Sequence, residues 1–112
     1  MRKILMYRKK AFAGILIPYY CIVGISKEDF IDKMNKGLGS DLNQYAHPVR
    51  NGHHIDISID EKAYTIFIFA NTSTGFSISE AYHIDAGICD VVYELSTKYS
   101  FRSGSRYELH SS

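Results

Sequence analysis

The sequence predicts a mostly-β protein, a small antiparallel β-sandwich of about eight short strands with one short helix. Three observations carry this expectation. Apolar and polar residues alternate over short runs, most clearly where Ile55, Ile57 and Ile59 interleave with Asp56, Ser58 and Asp60. Turn-forming residues recur between these runs without a strand–helix–strand rhythm. Nine Tyr and six Phe with no Trp suit half-buried sheet faces, where a ring packs and a hydroxyl reaches water. A chain of 112 residues has room for one domain, residues 1–112, with a core large enough to fold without staples.

The elements follow in chain order. Lys3 to Tyr7 and Phe12 to Ile17 are rich in β-branched and aromatic residues, and Tyr19 to Gly24 continues as another short strand. Gly14 marks a bulge or a close backbone approach, and Pro18 an edge or a bend. Ser26 then opens the one convincing helix, Ser26 to Lys36. Ser26 and Asp29 make a capping-box variant, Phe30, Ile31 and Met34 form one apolar stripe, and Gly37 supplies the stop. Leu38 to Gly52 reads as irregular, with Pro48 and Asn51-Gly52 as turn signals.

The alternating strand Ile55 to Ile59 comes next, and Tyr64 to Phe69, apolar on both faces, reads as a central strand. After the polar loop Asn71 to Gly75, Phe76, Ile78, Tyr82 and Ile84 read as one alternating strand. Asp85-Ala86-Gly87 turns it into a partner strand on which Cys89, Val91, Tyr93 and Leu95 face inward. A last hairpin joins Lys98–Arg102 to Arg106–His110 across Ser103-Gly104-Ser105. Ile57, Phe67 and Val91 are the expected core markers.

Several function classes lose support at this level. Net charge is +1, which gives no field to steer a polyanion. Its one asymmetry is the start, where Arg2, Lys3, Arg8, Lys9 and Lys10 stand without an acid. Cys21 and Cys89 lack C-x-x-C spacing; whether they pair stays open, and both read as small buried hydrophobes. The apolar run Ala11 to Ile25 is interrupted by Pro18, Tyr19 and Tyr20, so buried strands explain it better than a signal peptide or a membrane anchor. Without such a segment the chain reads as soluble and cytoplasmic.

The order of motifs resembles the PEGA-like small β-sandwich domains of unknown function found in bacterial envelope lipoproteins. The residues that carry the likeness are Tyr7-Arg8 in the first strand, Tyr20 to Gly24 ending in Val-Gly, the Gly52-His53 turn opening Val49 to Ile59, and Ala86-Gly87 leading to Leu95. The helix after Gly24 is an insertion relative to that pattern. The resemblance implies a bacterial, non-catalytic module at the cell envelope and supplies no site residues.

Three functional readings remain. The first is a non-enzymatic binding module for protein, peptide or glycan, with Leu38–Gly52 and Asn71–Gly75 as contact regions. The second is a divalent-metal site. His54-Ile55-Asp56 and His83-Ile84-Asp85 each present an imidazole and a carboxylate on one strand face, and they would converge if their strands were neighbours. The third is nucleic-acid binding through the basic start and Lys98–Arg102 with Arg106-Tyr107, where cations and rings alternate. The first is preferred. No nucleophile elbow, phosphate loop or metal motif appears, so no catalytic, cofactor or metal residue is assigned and no cofactor is expected.

Overall fold

Alternating side chains give a strand one dry face, and two such sheets bury their dry faces against each other. The computed structural model describes residues 1–9, 19–37, 39–72, 75–100 and 104–111. Among these, nine strands form two sheets. One contains β4 (His54–Ile59), β1 (Arg2–Arg8), β8 (Val91–Ser100) and β9 (Gly104–Ser111), in that order. The other runs β3 (Ala46–Val49), β2 (Tyr19–Val23), β5 (Tyr64–Thr72), β6 (Gly75–Ile78), with β7 (Tyr82–Ile84) also paired to β5. Every pairing is antiparallel except β1 with β8, which is parallel. The strand expected over Phe12–Ile17 lies outside the described residues.

The core between the sheets contains Ile4, Met6, Cys21, Val49, Ile57, Ile59, Ile66, Ile68 and Leu95. Ile57 and Phe67 are buried as expected, and Val91 packs on the core from a half-buried position. The sheet that holds β1 packs its inner face on this core. The β5 sheet is covered on both faces, which is why its residues 66–70 form an unbroken apolar run: Ile66 and Ile68 face the partner sheet, whereas Phe67 and Phe69 face a third layer.

That third layer is α1 (Lys27–Asn35), as the sequence predicts. The Ser26 hydroxyl accepts the Asp29 N–H at 3.1 Å, and Gly37, at φ 75°, donates its N–H to the Met34 carbonyl beyond the last turn. Phe30 anchors it, with its ring edge-on to Phe67 and to Phe69, both at 5.2 Å between centroids.

Four expectations are corrected. The stretch Leu38 to Gly52 is not irregular: a second helix, of 3₁₀ type, spans Gly39–Tyr45, and β3 follows it. Pro48 is tolerated because β3 is an edge strand. The loop Asn71 to Gly75 is shorter than expected, since β5 extends to Thr72, which pairs with Gly75. Phe76 to Ile84 is two strands rather than one. Three steps on β5, Ile66 to Phe69, face four on its partner, Tyr82 to Ile78. The extra residue makes a bulge at Ser79, whose buried hydroxyl accepts the Ile68 N–H at 2.8 Å. Finally, Asp85-Ala86-Gly87 does not turn β7 into a neighbour. The chain leaves one sheet there and enters the other, so Cys89 lies exposed in the crossing and no disulfide joins it to Cys21.

The chain passes between sheets at 50–53, 60–63 and 85–90 within the described residues. Two arginines hold these corners. On β1 the inward residues are Arg2, Ile4, Met6 and Arg8, and both arginines are only 3% exposed. The Arg2 guanidinium donates to the carbonyls of Asp60 (3.2 Å), Lys62 (3.0 Å) and Asp85 (2.8 Å), tying two corners together. Arg8 donates to the Val49 carbonyl at 3.0 Å and lies 3.7 Å from the Tyr19 ring centroid, while its backbone pairs with Gly52 and His53.

Arg2→Met should therefore destabilise the protein by about 2–3 kcal/mol, because buried carbonyls lose a charged donor. Lys9→Met, at an exposed cation next to Arg8, should stay within about 0.5 kcal/mol. Urea midpoints for the two variants check the contrast. A second expectation concerns His47, which shares the inward side of β3 with Val49 and is half-buried. Burial holds its pKa below the usual imidazole value. The unfolded chain therefore takes up this proton first as pH falls, so the stability is complete above about pH 6.5 and is lost as pH drops below it. His47→Gln should flatten that acid-side slope in denaturation curves taken at stepped pH.

Candidate functional site

The third layer does not cover its sheet completely. α1, of nine residues, is about 14 Å long at the usual rise. It seats Phe30 over Ile22 and Phe67, and the 3₁₀ helix seats Leu42 beside them. The next row, Tyr20 on β2 with Phe69 on β5 and Ile78 on β6, remains half-buried. A cleft of about 230 Å³ opens there.

Its floor is Tyr20, Ile22, Ala46 and Phe69, its walls are Phe30 and Met34 on one side and Leu42 on the other, and Asn43 supplies a polar group. Gly39 leaves the mouth open. A Cβ placed at Gly39 would meet only the Met34 sulfur, at 3.7 Å. The volume falls below the ~300–1,000 Å³ of sites that enclose whole small ligands. It suits one large apolar group, with rings and a polarisable thioether to pack on it. A second cleft, about 250 Å³, lies at the start of α1 beside Ser26, Lys62 and Thr65. Glu28 and Asp29 in that first turn oppose an anion there.

Of the regions named from sequence, Leu38–Gly52 contributes Gly39, Leu42, Asn43 and Ala46 to the first cleft. The sequence signal for Tyr20 and Phe69 was present but ambiguous, because an aromatic on a strand is equally a core residue or a binding surface. The side chains of the Asn71–Gly75 region lie outside the described residues.

The structure does not bring the paired His-Ile-Asp motifs together. His54 and Asp56 project from β4 in one sheet, and His83 belongs to β7 in the other. His83 Nε2 instead lies 3.2 Å from Asp85 of its own motif, with both side chains exposed. Among the described residues no group of three or more His, Cys, Asp or Glu could hold a metal ion. The basic start is likewise divided: Arg2 and Arg8 point into the sandwich, and Lys3 and Lys9 point out. The side chains of Lys98–Arg102, Arg106 and Tyr107 lie outside the described residues.

The two thiols differ sharply. Cys21 is fully enclosed, and burial pushes its pKa up to about 12, which removes the thiolate needed for reaction. Cys89 is exposed. A disulfide-exchange reagent at neutral pH should titrate one thiol in the native protein and a second only after denaturant is added. Absorbance of the released thiol checks the count.

Among the described residues no helix is long and apolar enough to cross a membrane. Comparison of the chain with protein-family models, curated proteins and solved structures finds no match.

Proposed function

We propose that this protein is a non-enzymatic binding module that takes a large apolar side chain of a peptide or protein partner into the cleft between α1, the 3₁₀ helix and the β5 sheet. The observation that carries this reading is the half-covered row of Tyr20 and Phe69 beneath an open Gly39. A packed third layer normally closes over such a row, and here it leaves room for a guest. A glycan is less well matched, since sugars require several convergent polar groups and Asn43 is the main side-chain amide in the cleft. The PEGA-like order of motifs supports the same non-catalytic class.

The absence of Trp from the chain makes the test direct. N-acetyl-tryptophanamide is then the sole indole in solution, and its emission should shift to the blue as the protein is added. Amide resonances of Tyr20, Met34, Asn43 and Phe69 should move with it. The Gly39→Leu variant should lose both effects while keeping its fold, because the new side chain occupies the mouth. Resonances that stay fixed, or move as strongly in folded Gly39→Leu, would remove the cleft as the site.

A further inference from the structure

We propose that Asn51 is a modification site, a deamidating asparagine that the corner at residues 50–53 withholds from reaction until it opens. Asparagine is among the chemically labile residues. The chain has four, at positions 35, 43, 51 and 71, and only Asn51 precedes a glycine. The attacking atom is the backbone nitrogen of the next residue, so a following side chain would crowd the approach and Gly52 does not. No partner or cofactor has to reach the site, because the nucleophile is adjacent in the chain and the co-reactant is water.

In the reaction the Gly52 nitrogen bonds to the side-chain carbonyl carbon of Asn51, and the bond from that carbon to the side-chain nitrogen breaks. Ammonia leaves with the proton that the Gly52 nitrogen gives up, and a five-membered succinimide remains. Water then opens the ring at either of its carbonyls, leaving aspartate or isoaspartate. Nothing is oxidised or reduced. Ring closure has two requirements: the Gly52 N–H must be free to lose its proton, and its nitrogen must swing into line with the Asn51 Cβ.

The folded corner meets neither requirement. The Gly52 N–H is committed to the Arg8 carbonyl at 3.0 Å, and the Arg8 N–H donates to the His53 carbonyl at 2.8 Å. The His53 N–H closes a turn on the Arg50 carbonyl at 3.0 Å, and of its two central residues only Gly52 has a positive φ, 74°. That is the type II form, which holds the Gly52 nitrogen roughly a third of a turn away from the Asn51 Cβ. Arg8 is itself fixed, being buried, bonded through its guanidinium to the Val49 carbonyl and stacked on the Tyr19 ring. Reaction at Asn51 therefore requires local opening of the corner. It is also one-way. Isoaspartate adds a carbon to the main chain at residue 51, so the three hydrogen bonds cannot be remade together and β4 loses its tie to β1 at that end. The site thus records each chain that has opened there, and this inference does not rest on the cleft.

The full chain, held in guanidinium chloride at mildly alkaline pH, should gain about 1 Da, and peptide mapping should place the gain at residue 51. Asn51→Gln should lose that gain, since its longer side chain would have to close a larger ring. In buffer alone the wild-type rate should fall by more than about tenfold. Hydrogen exchange of the Gly52 amide in the native wild type should be slowed by a similar factor, because the same N–H must leave the Arg8 carbonyl in both processes. A native deamidation rate within about threefold of the denatured rate overturns the proposal. So does a Gly52 amide that exchanges freely in the native protein, or a mass gain in denaturant that Asn51→Gln leaves unchanged.

Discussion

Two buried guanidinium groups on one strand determine where the rest of the chain can turn. β1 lies between β4 and β8, and its inner face reads Arg2, Ile4, Met6, Arg8. The apolar pair fills the middle of the sandwich, and the arginines reach its two ends, where the chain crosses from sheet to sheet. Corners expose backbone carbonyls that no ladder satisfies. Arg2 offers a fork of donors to three of them, from Asp60, Lys62 and Asp85, and Arg8 donates to the carbonyl of Val49. The Gly87 N–H reaches the Glu61 carbonyl at 2.9 Å, so the two corners held by Arg2 are also bonded to each other. β4 enters its sheet at one arginine and leaves it at the other.

This arrangement also settles what the cations at the start of the chain can do. A guanidinium surrounded by carbonyl oxygens is committed to the protein's own backbone. Removing it would leave buried acceptors unpaired, which is costlier than losing an exposed charge. The reading of the basic start as part of a nucleic-acid-binding surface loses two of its five cations for this reason.

The asymmetry of the two sheets is the second organising fact. The β5 sheet is apolar on both faces and needs a third layer, which α1 and the 3₁₀ helix supply only in part. The row of Tyr20 and Phe69 is left as the floor of a cleft. The β1–β8 sheet has one dry face and one mixed face, where Leu5 and Val92 sit among Lys3, Asp56 and Glu94. The cleft thus arises where a layer stops short of what it would have to cover.

Local chemistry determined much of this by sequence alone. The helix could be read residue by residue, because Ser26, Asp29 and Gly37 act within one turn of where they stand. The strand phases of β4 and β5 were equally legible, since a period of two in apolar residues is a property of the segment itself. What only the tertiary structure decided was which segments meet. An Asp-Ala-Gly turn serves a hairpin and a sheet crossing equally well, so Asp85–Gly87 could not show that Cys89 would end exposed. The two His-Ile-Asp motifs have the same local form, and only strand order separates them into different sheets. Arg2 and Arg8 carry the same period of two as Ile4 and Met6, yet their burial depended on carbonyls that lie far along the chain, at Val49, Asp60, Lys62 and Asp85. Charge argues for the surface unless distant partners are already in place, and those partners are assembled only when the sandwich closes.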